Sequence, residues 1–474
     1  MCLISEFKPP RWHIFCLYHS NFNLKIRDKV SIRTFRGGVH PPEFKELTEN
    51  CAFETIPHPE EIILPVSQHL GKDATPQVKK GDDVITGQLV AKAEGFISAP
   101  VHTSVAGKVL SLGKEITPTG FPKDAIVIKA NGTIESERFK LVPLDPETIT
   151  PDEIRARVAE AGIVGQGGAA FPTYVKLSPP KDKVIDVVIL NGCECEPYLT
   201  RDYRFMIERP GDLISGLKLI MKALGVKRGV IGIEDNKPEA IKLLSDKILG
   251  ETGLEVVALK TKYPQGAEKM LIKVVTGKEV PPGKLPMDVG AVIQNIGTAV
   301  AIHDAVVKGE VLTIAALTVS GKGIKVPKNL LVPVGTPIQN VIDFCGGVTE
   351  DAVKIVVGGP MMGVSQFDLH APVMKATSGI LVLTKEEITE NPETPCLRCG
   401  QCVGACPLNL MPTKLSRYSQ LQRYEDAEGA DITVCMECGT CAYTCPANIP
   451  LVQWIRLGKQ KVLEMQKERA AVTQ

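Results

Sequence analysis

Cys396-Leu397-Arg398-Cys399-Gly400-Gln401-Cys402-Val403-Gly404-Ala405-Cys406-Pro407 is matched downstream by Cys435-Met436-Glu437-Cys438-Gly439-Thr440-Cys441-Ala442-Tyr443-Thr444-Cys445-Pro446. Each stretch reads Cys-x2-Cys-x2-Cys-x3-Cys-Pro, the spacing that holds 4Fe–4S cubes; in paired-cube proteins the fourth cysteine of each run ligates the other cube. Three closely spaced thiolates wrap three iron corners of one cube, and the fourth, on the way out, turns toward the neighbour. The expected ligand sets are Cys396, Cys399, Cys402 with Cys445, and Cys435, Cys438, Cys441 with Cys406. Structural zinc is the competing reading, because Cys-x2-Cys pairs also serve tetrahedral zinc. Two full copies, each closed by Cys-Pro, weigh against it. Disulfides belong to oxidising compartments, and nothing in the sequence suggests export. Cubes of this kind move one electron at a time, so the rest of the chain must feed or drain single electrons.

The 474 residues suffice for three or four domains at ~100–200 residues each. A hydrophobic share of 44% and a charged share of 23% are those of an ordinary globular protein. A net charge of +1 and 5% aromatics argue against a nucleic-acid partner, which calls for a basic excess and stacking rings. The cysteines outside the two runs (Cys2, Cys16, Cys51, Cys193, Cys195 and Cys345) are scattered, as in a reducing compartment. No apolar run reaches the ~18 residues of a membrane-spanning helix. Residues 1–29 hold charges and two prolines and lack the apolar stretch of a secretory signal. Residues 1–33 are therefore expected to be an appended or disordered N-terminus, with translation starting near Val30.

From residue 34 to 140 short β-type runs alternate with turns: Glu61–Pro65, Asp83–Ile85, Gln88–Ala91, Lys108–Leu110 and Ala125–Ile128. Lys80–Gln88 and Ser98–Gly107 resemble the biotinyl/lipoyl-type barrel, whose hairpin lysine carries a prosthetic group. Here that hairpin reads Ala99-Pro100-Val101-His102 and has no lysine, so a scaffold is expected. His40 and His102 read as satisfied structural histidines, since no second metal-type residue lies at ligand spacing.

Thr150-Pro151-Asp152-Glu153 is a capping box with proline at the first helical position. The helix it opens ends in a glycine-rich loop, Gly165–Thr173. Strand-like Val184–Leu190, Val230–Ile233 and Glu255–Leu259 then alternate with helical stretches. Leu217, Ile220, Met221 and Leu224 mark one helix face, and further helices are expected near Pro238–Ile248 and Ala267–Val275. Such alternation predicts a parallel α/β sheet. Ligands of such sheets bind at strand C-terminal ends, where glycines and helix N-termini admit phosphate. The loops Gly165–Thr173 and Asn191–Pro197 both have that address, although a glycine-rich loop by itself can equally be a tight turn.

Four segments carry a resemblance: Gly165–Thr173 with Lys176, Asn191–Pro197, Tyr263–Glu268 and Asn295–Thr298. They resemble the segments around FMN in the NADH-binding flavoprotein subunit of respiratory complex I. They are more similar still to the C subunit of the Rnf complex, a membrane-bound ferredoxin:NAD oxidoreductase, which Arg36-Gly37-Gly38-Val39-His40-Pro41-Pro42-Glu43 also resembles. The resemblance implies that Gly165, Gly167 and Gly168 approach FMN, with Lys176 as its positive partner. It implies that Asn191 and Glu194 bond the flavin, that Gly266 lies in the same cofactor-binding set, and that Asn295 and Thr298 face the phosphate. Phe171 would stack on nicotinamide, and Glu268 would sit near the nucleotide. Gln166, Ala170, Cys193 and Ala267 depart from the pattern, chiefly on the nucleotide side. Cys193 and Cys195 themselves are expected to be packing residues, because one intervening residue on extended backbone makes a poor geometry for a disulfide.

The stretches Leu312–Ser320, Asn329–Val334 and Val353–Val357 resemble the β-grasp insert of the same families. The fold class expected is thus multidomain α/β plus small domains. Residues 34–140 form a carrier-like β barrel, 141–308 an FMN/NADH-binding α/β domain, and 309–388 a β-grasp insert and linker strand. Residues 389–455 form a helical two-cluster 4Fe–4S ferredoxin domain, with two short helices between Cys406 and Cys435. Residues 456–474 form a tail helix, either solvated or touching anionic lipid or a membrane partner.

The implied cofactors are two 4Fe–4S clusters and FMN, with NAD(H) as substrate. The implied partners are the other subunits of a membrane-bound Rnf-type complex, and the implied place is peripheral, on the cytoplasmic face of the membrane. A flavin suits the task because hydride brings two electrons and each cube takes one. Two alternatives share the architecture or the motif: a cobalamin reductase of a bacterial microcompartment, and a non-enzymatic ferredoxin adapter.

Overall fold

Four short apolar runs, most of their residues buried, build a parallel sheet in the order Leu254–Leu259, Gly229–Glu234, Val187–Gly192, Ala291–Asn295. Burial on both faces is what a parallel sheet wrapped by helices requires. Because successive side chains point to opposite faces, the strands divide their residues between two cores. Val188, Leu190, Ile231 and Ile233 pack under the helices Pro151–Glu160, Pro210–Leu224 and Ile296–Val307. Val187, Ile189, Val230 and Leu259 pack under Glu268–Thr276. Leu190 and Leu217 are fully buried, which stabilises the fold by roughly 1.5–3 kcal/mol apiece. The helices Pro210–Leu224 and Ile296–Val307 meet at Gly216, where a Cβ would lie 2.0 Å from the Ala299 carbonyl oxygen. The expected capping box is present: Glu153 N donates to Thr150 Oγ1, and Thr150 N donates to Glu153 Oε2 at 2.7 Å.

The computed structural model describes residues 33–131, 138–388 and 391–472. The expectation for residues 1–33 lies outside them, apart from Arg33. Among the described residues no helix is long and apolar enough to cross a membrane.

The chain before the α/β unit contributes two small sheets. One runs Glu61–Pro65, Pro122–Ala130, Gly107–Ile116, Asp83–Val84; the other runs Thr75–Pro76, Leu89–Lys92, Val101–His102. After the α/β unit, Lys328–Pro333, Ile314–Ser320, Gly379–Thr384, Ala352–Val357 and Val364–Ser365 lie side by side. This sheet gains an unexpected sixth strand, Phe53–Thr55, paired in parallel with Asn329–Leu331. The two regions also share one hydrophobic core, in which Ile62, Leu64, Val90 and Val109 meet Leu317, Val332, Ile338 and Ile380. A boundary drawn by sequence position cannot represent that sharing. His102 departs from expectation too: it is buried, yet its Nδ1 has no hydrogen-bond partner among the described residues. The neighbouring Lys375 ammonium is directed to the Pro100 and Gly162 carbonyls instead.

The cysteine-rich region is helical, with Pro412–Gln420 and Tyr424–Gly429 between the two runs. The runs repeat one backbone pattern: Arg398 and Glu437 have φ of 55° and 58°, and Gly400 and Gly439 follow at 76° and 81°. The last helix, Leu451–Val472, is continuous. Its residues Leu451, Val452, Ile455 and Val462 are buried against Leu415 and Ile432. The division expected at 455/456 therefore falls inside one helix. The buried positions 451, 455 and 462 are spaced as one helix face, and that face packs on the cysteine-rich helices rather than standing apart as a solvated tail.

Candidate functional site

The chain builds this parallel sheet outward from Val187–Gly192 to one side, then crosses over to lay Ala291–Asn295 on the other. The crevice between those two strands is the switch point where open α/β sheets bind ligands. Asn191 and Asn295 stand opposite each other at the two strand ends. Asn191 Nδ2 donates to the Gly266 carbonyl at 2.8 Å, and its Oδ1 accepts from Cys193 N at 3.2 Å. Asn295 caps Ile296–Val307 by accepting from Gly297 N at 2.8 Å, and donates from Nδ2 to Asp202 Oδ2 at 2.6 Å. Thr298 Oγ1, fully buried, accepts from Gln166 N at 3.0 Å and so ties the glycine loop to this helix start. A Cβ on Gly167 would come within 2.7 Å of Asn295 Nδ2, whereas Gly168 faces open space. Gly165 N donates to the Phe171 carbonyl, closing the loop. Phe171 itself is half-buried.

Lys176, expected beside FMN, is paired with Glu268, expected near the nucleotide: Lys176 Nζ donates to Glu268 Oε1 at 2.8 Å and to the Ile293 carbonyl at 3.1 Å. Glu194 is also engaged, accepting from Asp202 N at 2.7 Å and Tyr203 N at 3.2 Å at the start of the helix Arg201–Glu208. Burial, then the nearby Asp202 carboxylate, raises its pKa. Gly266 N donates to Cys195 Sγ at 3.3 Å. Both scattered thiols are free, and Cys193 is part of the buried core, its pKa pushed well up by burial.

The residues fit an FMN by one further observation. Thr173 Oγ1, both polar atoms of the Gln265 side chain and Gln294 Nε2 are buried without a hydrogen-bond partner among the described residues. They belong to three of the segments that meet at the switch point. Buried polar groups are almost always satisfied, and a bound ligand rich in donors and acceptors would satisfy them.

Sequence reasoning missed Lys45. Its Nζ is buried and donates to the carbonyls of Glu194, Glu196 and Leu199 at 2.8, 3.1 and 2.7 Å, holding the loop that follows Asn191. Burial, then the Lys237 charge, lowers its pKa. Lys237 is similarly hidden and donates to the Cys193 carbonyl at 2.7 Å. No local motif marks either lysine, because both reach partners distant in sequence.

The eight cysteines gather in two quartets. Cys396, Cys399, Cys402 and Cys445 line one cavity; Cys406, Cys435, Cys438 and Cys441 line the other, among Pro407, Leu408, Met436 and Ile455. All eight thiols are free. Arg398 N and Glu437 N approach Cys396 Sγ and Cys435 Sγ at the same 3.4 Å. Burial pushes Cys435 up to about 11 and Cys441 up to about 12, with neighbouring thiols adding to the rise. Bound iron would hold such thiols deprotonated. Four sulfurs around an apolar space suit a 4Fe–4S cube in donor chemistry.

The second quartet adjoins the switch-point loops. Tyr263 OH donates to the Cys438 carbonyl at 2.7 Å. Val39 and Tyr263 exchange backbone hydrogen bonds at 2.8 and 2.9 Å, while Gly38 N donates to the Ala405 carbonyl at 2.8 Å. Gly37 and Gly38, at φ of 83° and 78°, adopt the left-handed conformation that glycine allows without strain. A Cβ on Gly37 would sit 3.0 Å from the Cys406 carbonyl oxygen. Glu196 accepts from Met361 N and Met362 N at 3.0 Å each; burial nevertheless pushes its pKa up to about 7.

Residues 158–304 match the Nuo51 FMN-binding domain family, and residues 387–446 match the 4Fe–4S dicluster domain. Residues 33–133 match the RnfC barrel sandwich hybrid domain, and residues 317–365 the SLBB domain. Fold and site together define an electron-transfer flavoprotein with two iron–sulfur clusters. The chain is 50% identical over 398 residues to the C subunit of the proton-translocating ferredoxin:NAD(+) oxidoreductase complex of Clostridium ljungdahlii, covering 84% of this chain and 87% of that one. It is 46% identical over 437 residues to the C subunit of the Na(+)-translocating ferredoxin:NAD(+) oxidoreductase complex of Acetobacterium woodii, covering 92% and 98%. It is 44% identical over 441 residues to the C subunit of the ion-translocating oxidoreductase complex of Rhodobacter capsulatus, covering 92% and 84%. The chain belongs to the family formed by the C subunits of Rnf complexes.

Proposed function

We propose that this chain is the peripheral electron-transfer subunit of a membrane-bound, ion-translocating ferredoxin:NAD oxidoreductase, lying on the cytoplasmic face of the membrane. It exchanges electrons between NAD(H), FMN and two 4Fe–4S clusters, with the other Rnf-type subunits as partners. The names of the Clostridium ljungdahlii and Acetobacterium woodii relatives support this over a cobalamin reductase. The match to an FMN-binding domain supports it over an adapter without flavin. Residues 34–140 serve as a carrier-type barrel without its lysine, and the segment matching SLBB as a β-grasp spacer.

FMN, when bound, supplies the change between two-electron hydride chemistry and one-electron transfer. The chain's own residues do the positioning. Asn191 and Asn295 fix the two strand ends, Thr298 holds the glycine loop against the start of Ile296–Val307, and Lys45 stiffens the loop after Asn191. Phe171 offers its ring to nicotinamide, and Lys176 and Glu268, paired with each other, supply the charges near the nucleotide. The observation that carries the reading is the strap at Tyr263, which joins the switch-point loops directly to the backbone of Cys438. Cys406, Cys435, Cys438 and Cys441 would hold the cluster whose protein backbone is tied to those loops, and Cys396, Cys399, Cys402 and Cys445 the other.

Anaerobic purification with iron, sulfide and flavin counted together tests this. The expected content is about eight irons and eight sulfides for two cubes, with one FMN. Zinc in place of iron, or full iron with no flavin, would overturn it.

A further inference from the structure

The Glu196 carboxylate reaches out of the loop after Asn191 and is held by another region of the chain. It accepts from Met361 N and Met362 N at 3.0 Å each, in the loop that follows Ala352–Val357. A Cβ on Gly359 would lie 2.3 Å from Glu196 Oε2, so the two are in close contact. Met361 faces the second cysteine run as well, since a Cβ on Gly439 would stand 2.9 Å from its carbonyl oxygen. Tyr263 forms a second bridge. Its hydroxyl donates to the Cys438 carbonyl at 2.7 Å and also lies within hydrogen-bonding reach of the Glu196 carboxylate. A phenol has one proton to donate and an oxygen that accepts, so Tyr263 can donate to only one of these neighbours at a time.

No cation neutralises this carboxylate directly: Glu196 forms no ion pair among the described residues. Lys45 faces it, but directs its Nζ to three carbonyls, that of Glu196 among them at 3.1 Å. The other titratable groups against it are the Cys195 thiol and the Tyr263 phenol, both raised by burial and neutral. Met361, Met362 and Cys438 present backbone groups only. Burial pushes the Glu196 pKa up to about 7. Glu234 is pushed to about 7 as well, but it has a cation of its own, Lys237 Nζ at 3.5 Å. Glu196 stays partly exposed, which leaves it open to water. Negative charge added nearby favours the protonated form of a carboxyl.

We propose that Glu196 takes up a proton, through its link to Tyr263, when the cluster held by Cys406, Cys435, Cys438 and Cys441 is reduced. As one electron from NAD(H) reaches that cluster, the Cys438 carbonyl becomes the stronger acceptor and holds the Tyr263 proton. Glu196 then takes one proton from water and donates it to the Tyr263 oxygen. When the electron passes on, that proton returns to water and the carboxylate again accepts from Tyr263. One proton thus accompanies one electron, and no bond between heavy atoms is made or broken. Charge added among Pro407, Leu408, Met436 and Ile455 is poorly solvated, and a proton taken up nearby offsets that cost. The proposal rests on the functional reading above for its cluster and goes beyond it by coupling a proton to the electron step. Glu196 acts through Tyr263 and is a positioning residue.

The test uses the full chain with iron and flavin bound, kept anaerobic and titrated with dithionite through dye mediators. The midpoint potential of the second cluster is followed by its EPR signal on both sides of pH 7. In the wild type it should be level below about pH 7 and fall above it, because reduction then takes up a proton. The slope should approach one proton per electron. Glu196→Gln should abolish the slope and Tyr263→Phe weaken it, while Glu234→Gln keeps it. Reduced-minus-oxidised infrared spectra above pH 7 should show a protonated carboxyl gained in the wild type and missing in Glu196→Gln. A level wild-type potential would overturn the proposal, as would an unchanged slope in Glu196→Gln or Tyr263→Phe, or a slope lost in Glu234→Gln. Should Glu196→Gln fail to hold its clusters, the wild-type infrared spectrum decides, and no carboxyl gained on reduction overturns the proposal. Flavin bleaching by NADH is recorded on the same samples. Its failure with the pH slope intact would sink the functional reading alone; normal bleaching with a level potential would sink only this proposal.

Discussion

The Tyr263 phenol donates to the carbonyl of Cys438 at 2.7 Å, across a separation of 175 residues. One hydrogen bond thereby joins the loop beside the flavin cleft to the backbone of a cluster cysteine. Tyr263→Phe leaves a buried carbonyl oxygen unpaired, which costs about 1–3 kcal/mol. Iron and flavin contents should match the wild type. The EPR signal of the Cys406, Cys435, Cys438, Cys441 cluster should shift while that of the Cys396 cluster stays put. Equal shifts in both signals would show that Tyr263 acts on the whole domain and not on its neighbour.

Cys406 lies among the ligands of the first run in sequence and with Cys435, Cys438 and Cys441 in space. Cys406→Ala is therefore expected to damage the second cluster, and Cys445→Ala the first. EPR of each single variant reads this directly. Damage to the Cys396 cluster in Cys406→Ala would rule out crossed ligation.

Lys45 holds three carbonyls of one loop. Lys45→Met should destabilise the protein by ~3 kcal/mol and release flavin at concentrations where the wild type keeps it. Denaturant midpoints and the flavin-to-iron ratio test both halves. An undiminished ratio would show that the loop keeps its shape unaided.

Lys375 is buried with carbonyl partners, and burial holds its pKa down to about 7 from an ordinary 10.5. Between those values the unfolded chain holds a proton that the folded chain does not. Stability contributed by this site should therefore rise with pH across the window from about 7 to 10.5, following the difference in bound protons. His102, held down to about 3 from 6.5 by burial and by Lys375, adds a rise in the acid range by the same sign. Lys375→Met should flatten the alkaline rise, seen as a smaller gain in denaturant midpoint between about pH 7 and 9. An unchanged gain would mean that other groups set it.

What could be read from sequence was local. The cysteine runs announce their chemistry because ligand spacing is a property of neighbouring residues. The Thr150 cap, the strand–helix alternation and the glycine loop were legible for the same reason. Contacts across the chain left no such mark. Lys45 meets Glu194 across 149 residues, and Phe53 pairs with Asn329, distant in the chain but in the same sheet. Neither has a pattern around it that points to the partner. The 455/456 boundary failed because the charged residues after Ile455 hide an apolar face that continues to Val462. His102 failed because its surroundings include Lys375, a residue of the distant sheet region.

The central claim is that NADH delivers its electrons to a flavin in this chain, and that Phe171 places the nicotinamide. Orientation of reacting groups can be worth ~7–11 kcal/mol in well-held systems, whereas the asparagines, Lys176 and Thr298 hold the cleft without the phenyl ring. Anaerobic stopped-flow mixing of NADH with the loaded wild type and with Phe171→Ala measures the step. The wild-type flavin should bleach first and the cluster absorbance follow. The variant, with full flavin and iron and normal reduction by dithionite, should bleach at least tenfold more slowly. Wild-type flavin that stays oxidised with NADH yet reduces with dithionite would contradict the account; a variant bleaching at the wild-type rate would remove Phe171 from it.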